Sequence, residues 1–225
     1  CVKQRTMVII ASILLIVYGI IITTGNGYEV SSSNIIARID NYIVGADHLY
    51  KKSPIDPEGL LSTLPSIAHT ILGVICGNII RQKNELNTKL INLFAFGTIL
   101  MLIGWLLQFG LPLNKRIWSP SYAILTSGIA STLLGLLIYI IDVKKHSKWC
   151  KTAKAFGMNA FCLYTLSEVL SPLIRHTGAG KLVYDAIYTI IPHAKTASMA
   201  YAISFCIVVG IPGWILWKKQ KFIKI

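Results

Sequence analysis

Apolar residues in this chain come in long unbroken runs divided by short polar stretches. Six runs, each roughly 20 residues long, match the length a helix needs to cross a bilayer. They cover about 6–24, 58–80, 90–109, 119–141, 156–174 and 196–217. The period-two alternation of a transmembrane β-barrel is missing. The expected fold class is therefore all-α: a polytopic transmembrane helical bundle, treated as one domain over residues 1–225.

The second run, with the loop before it, carries most of the detail. Asp56 suits a helix cap, Pro57 a first helical position, and Glu58 the positive end of the helix dipole. Pro65 inside the run predicts a kink or a local repair of the backbone bonding. Gly73 and Gly77 form a small-xxx-small pair that predicts close helix contact. His69 lies near that face, where a helix-packing hydrogen bond is the plainer reading than catalysis. In the long loop before the run, Ile35, Ile36, Ile39 and Ile43 fall on one stripe behind Ser33 or Asn34 as cap. That pattern predicts a short amphipathic helix lying on the membrane surface. A second interfacial helix is expected around 182–191. Ser119 and Pro120 read as cap and first position of the fourth span, which carries Ser127, Ser131 and Gly135 on one face.

Charge then adds orientation. The chain has 22 Lys and Arg against 9 acids, a net charge of +13, with only 14% charged residues overall. Fourteen of the 22 fall in the first tail, the 81–89 hinge, the 142–154 loop and the last tail. Six of the nine acids fall in the other loops. By the positive-inside rule both ends of the chain are expected in the cytoplasm. The same rule explains the basic excess better than nucleic acid, which is not an expected partner; membrane lipid is. Cys1, Cys76, Cys150, Cys162 and Cys206 show no metal-ligand spacing, so neither a disulfide framework nor a metal is expected.

Two polar outer mouths carry the candidate chemistry. The first gathers Asp40, Asp47, His48, Tyr50, Asp56 and Glu58; the second gathers Asn114, Lys115, Trp118 and Tyr122. Carboxylates and amides bond hydroxyls, and aromatic rings stack on sugar faces, so the set suits a sugar. Glu168 lies twelve residues, about 18 Å, along a helix starting at Phe156. An acid at that depth marks a polar cavity. Asn159 is a second polar residue in the same span. Each has a plainer reading: a helix start for 56–58, a solvated loop for 47–48, an interfacial anchor for 114–118, a helix cap for Asn159. The lysines of 144–154 fit a cofactor phosphate or simply the cytoplasmic face. These residues alone leave an enzyme and a transporter both open.

Several motifs taken together go further. IDNYIVGADHLY (39–50), DPEGLLSTLPSIAHTILGVICG (56–77), LNKRIWSPSY (113–122) and GMNAFCLYTLSEV (157–169) resemble the heparan-α-glucosaminide N-acetyltransferase family, including its bacterial NagX-like relatives. The resemblance implies transfer of acetyl from cytosolic acetyl-CoA to the amine of a terminal glucosamine on the far side of the membrane. It implies Glu168 and Asn159 in the active cavity. It implies an acceptor mouth drawn from Asp40, Asp47, His48, Asp56, Glu58, Asn114, Lys115 and Ser121. The cofactor-binding residues stay unassigned. The family's catalytic His is expected upstream of Cys1, so the chain is read as a fragment. A homodimer and a bacterial inner membrane are the expected setting. An amino-sugar permease, taking up glucosamine or N-acetylglucosamine, is the alternative; the lack of paired broken helices weighs against it. The isolated chain is expected to be inactive, and acetyl transfer by membranes holding only these residues would contradict that.

Overall fold

The computed structural model describes residues 3–50 and 53–223; Cys1, Val2, Lys51, Lys52, Lys224 and Ile225 lie outside them. Every regular element is helical: α1 (Gln4–Thr24), α2 (Ile35–Ile43), α3 (Thr63–Arg81, entered through a 3₁₀ turn at Leu60–Ser62), α4 (Leu86–Leu107), α5 (Pro120–Ile138, ending in a π turn at Tyr139–Val143), α6 (Lys151–Met158), α7 (Ala160–His176), α8 (Ala179–Ile190) and α9 (Ala194–Lys218). Five of these stretches are long and apolar enough to cross a membrane. The protein is an integral helical membrane protein. The stretch expected as the fifth of six spans is not one helix. It breaks at Asn159 (φ −128°, ψ 31°) into α6 and α7, leaving α7 with 17 residues.

The chain divides into two compact units, residues 1–145 and 146–225. In the first, α4 packs most extensively on α5, α1 on α3, and α3 on α5. The α4–α5 contact is built on glycine. A Cβ on Gly104 would sit 2.6 Å from the Leu125 nitrogen, and one on Gly128 would sit 2.6 Å from the Met101 nitrogen. Close backbone approach of this kind drives helix association where lipid removes the hydrophobic incentive. The expected Gly73–Gly77 contact is different: a Cβ at either position meets nothing within 4 Å. That glycine face is open, not packed. Pro65 sits at the opening of α3 rather than in its interior. It falls in the first α-helical turn, where its missing N–H would have no partner anyway.

Two clusters fill the first unit. One joins Leu15, Leu72, Ile75, Leu93 and Leu100 along the middle of the helices. The other joins Tyr18, Ile22, Ile36, Ile55 and Ile117 at the end where α1 and α4 finish and α3 and α5 begin. In the second unit α9 packs against α6, α7 and α8. Gly213 of α9 lies under Leu163 of α7, where a Cβ would come within 2.7 Å of a leucine methyl.

The two kinds of glycine predict opposite responses. Gly128→Leu is expected to cost about 1–3 kcal/mol by overpacking. Gly73→Ala, in open space on a helix, is expected to be neutral or to gain up to about 1 kcal/mol. Thermal unfolding in nanodiscs compares them, and equal losses would contradict the assignment.

Candidate functional site at the α3–α5 end

The acidic loop and the 111–121 loop meet at one end of the first unit. Ile36 of α2, Ile55 of the acidic loop and Ile117 of the second loop share the cluster around Tyr18. The Tyr18 hydroxyl donates to the Ile117 carbonyl, tying α1 to the second loop. Asn34 caps α2 by accepting from the Ile36 N–H at 2.8 Å, and its amide donates to the Gly27 and Glu29 carbonyls, both at 2.8 Å. The buried face of α2 is Ile36, Ala37 and Asp40, while Ile43, expected on the apolar stripe, is 63% exposed.

The candidate mouth residues fall into two groups. The first group is consumed by the fold. Asp40 is fully buried, and one of its oxygens accepts from the Leu60 N–H at 2.9 Å. Asp56 closes its own loop, accepting from the Glu58 N–H at 2.9 Å and the Tyr50 N–H at 3.1 Å. Asn114 accepts from the Arg116 N–H at 2.9 Å. The Ser119 hydroxyl accepts from the Asn114 N–H at 3.0 Å and the Tyr122 N–H at 3.4 Å, and it lies 3.1 Å from the hydroxyl of Ser121. Ser121 is itself fully buried. The second group is free. Asp47, His48, Glu58 and Lys115 are exposed.

Asn159 and Glu168 belong to the second unit. Asn159 is fully buried and accepts from the Ile223 N–H at 3.1 Å, so it serves both as a helix breaker and as a tether for the tail. Its amide nitrogen has no partner. Glu168 is exposed on α7.

Beneath the first-unit loops lies a feature that hydropathy does not signal. A cavity of about 200 Å³ is lined by His69, Gly73 and Cys76 of α3 and by Ser127, Ala130 and Ser131 of α5. Both serine hydroxyls donate to the backbone, Ser127 to Ala123 and Ser131 to Leu93, and so turn lone pairs outward. His69 does not make the helix-packing hydrogen bond expected of it. Its Nδ1 is buried without a partner, as is the indole nitrogen of Trp118. The two rings lie 5.8 Å apart, and Tyr122 meets the other side of Trp118 edge-on at 5.3 Å. Trp118 is held at φ 53°, a left-handed conformation that a bulky residue adopts only when its surroundings impose it. The bonds on either side impose it: the Ile117 carbonyl is held by Tyr18 and the Ser119 hydroxyl by its cap. Ser127 and Ser131 were readable as a polar face; the orphaned nitrogens were not, because they depend on which residues come to lie opposite.

The chain is 33% identical over 150 residues to the heparan-alpha-glucosaminide N-acetyltransferase of Mus musculus, covering 59% of this chain and 23% of that protein. It is 34% identical over 149 residues to the Homo sapiens enzyme of the same name, covering 58% of this chain and 22% of that protein. The chain thus spans less than a quarter of the length of the curated relatives it matches. No family model matches it.

Tyr18→Phe is expected to leave the buried Ile117 carbonyl unpaired and to cost about 1–3 kcal/mol. Ser119→Ala, which removes the α5 cap, is expected to cost about 1 kcal/mol. Denaturation of the purified protein reads both, and a Phe variant as stable as the parent would show that the bond contributes nothing.

Proposed function

We propose that this chain supplies membrane-embedded helices of an enzyme that moves an acetyl group from acetyl-CoA to the amine of a terminal glucosamine or related amino sugar. The observation that carries this reading is the 33–34% identity to two curated enzymes of that name. The α3–α5 end is assigned to the acceptor side, away from the cytosol, because the basic loops cluster at the opposite ends of the spans. In a bacterium that side is the periplasm.

The reaction asks for an amine that loses a proton, a held carbonyl and a path for the acyl donor. The exposed Asp47, His48 and Glu58 are placed to bond the hydroxyls and amine of the acceptor. The buried Asp40 and Ser121, with the hydrogen-bonded Asp56 and Asn114, hold the backbone that presents them, so their contribution is positional. The cavity beside His69 suits the slender thioester arm of acetyl-CoA. Its serine lone pairs accept from amide N–H groups, Gly73 leaves room, and it is lined by no acid, lysine or arginine. Acetyl-CoA brings the activated acyl group; the chain brings shape and hydrogen bonds. Its phosphates match the exposed lysines of 144–154 by charge. In the second unit, Glu168 and Asn159 remain the candidates for catalysis.

The test uses the protein with its natural flanking sequence in vesicles, with labelled acetyl-CoA on one side and glucosamine on the other. Label is expected to reach the sugar. Gly73→Leu, which fills the cavity, is expected to lower transfer at least tenfold without lowering the unfolding temperature, and Glu168→Gln to lower transfer as well. Saturable sugar uptake with no acetyl-CoA dependence would replace the enzyme with a permease.

A further inference from the structure

Asp40 is the one fully buried acid among the described residues, and half of its carboxyl group has no partner. One oxygen accepts from the Leu60 N–H at 2.9 Å; the other is buried and bonded to nothing. It is pressed instead against glycine: a Cβ built on Gly59 would run into the Asp40 carboxylate. Gly59 has φ −61°, which any residue can adopt, so glycine is needed there for room and not for conformation. The contact joins two elements twenty residues apart, the surface helix α2 and the turn that opens α3.

The surroundings supply no cation among the described residues. Tyr18 of α1 faces both Tyr28 and Asp40, and Asp56 adds a like charge from the acidic loop. Tyr28 is partly buried, which pushes its hydroxyl up to about 12, so it stays neutral and adds no charge. Arg38 sits on α2 two residues away, about 200° around the helix, and is exposed. A carboxylate enclosed without a counter-charge costs more than one backbone hydrogen bond returns. Burial accordingly raises Asp40 above the ordinary carboxylate range; the Leu60 bond opposes this and Asp56 reinforces it.

We propose that Asp40 is a proton-operated latch: as the neutral acid it holds α2 on the opening turn of α3, and on ionisation it leaves that site and frees the loop that carries Asp56 and Glu58. The direction follows from linkage. A group that holds its proton more tightly in the docked form stabilises docking at low pH and withdraws that support as pH rises through its raised value. The mouth is closed and ordered in acid and loosens toward neutrality. This rests on no reading of what the protein acts on.

Hydrogen exchange on the protein in nanodiscs, read on peptides covering 35–43 and 55–63 from pH 4.5 to 8 and corrected for intrinsic exchange, tests it. In the parent, exchange is expected to rise at least tenfold across that range. Asp40→Asn keeps the acceptor for Leu60 and cannot ionise, so its exchange is expected to stay slow and flat. Asp40→Ala is expected to exchange fast at every pH. Gly59→Ala, which expels the side chain without altering Asp40, is expected to behave like Asp40→Ala and stands in should that variant fail to fold. A parent as flat as Asp40→Asn, or an Asp40→Asn as open as Asp40→Ala, would overturn the latch.

Discussion

Hydrocarbon offers no water to a helix end, so each backbone group there must find its partner within the protein. At the α3–α5 end of the first unit that demand falls on four side chains. Asp40 serves the start of α3, Ser119 the start of α5, Asn34 the start of α2, and Tyr18 the carbonyl of Ile117. Two of the four, Asp40 and Tyr18, act across loops, so the bonds that finish the helices also set the shape of the loops between them. The polar richness of this end is in the first place a solution to the problem of ending helices near lipid.

On the proposed reading, function falls to what remains. Asp47, His48 and Glu58 stay outside the bonding network, and the His69 cavity opens behind the loops that network holds. For the proposed transfer, a hydrogen-bonded frame with free carboxylates above a cavity holding two serines and a histidine would suit, since reacting groups gain from being held in place. Tying Asp56 and Asn114 into the frame costs two apparent ligands but fixes the others.

Hydrophobic run length revealed α1, α3, α4, α5 and α9 because length and polarity are all a bilayer asks of a span. The caps at Asn34 and Ser119 were visible because their chemistry is local. What stayed hidden depends on partners far along the chain. Asp40 and Asp47 look alike as loop acids; only the arrival of Gly59 and Leu60 buries the first. Gly73 and Gly77 look like Gly97 and Gly104, yet the second pair meets α5 and the first meets nothing. The break at Asn159 escaped the hydropathy pattern because the apolar run continues through it, while its side chain is drawn to the backbone of Ile223.

The interlocked glycines of α4 and α5 have a mechanical consequence. Backbone touches backbone at Gly97, Gly104 and Gly128, so these two helices cannot slide past one another without first moving apart along much of their length. A force applied to either end of the first unit would peel α1 and α3 singly but extract α4 and α5 as one hairpin.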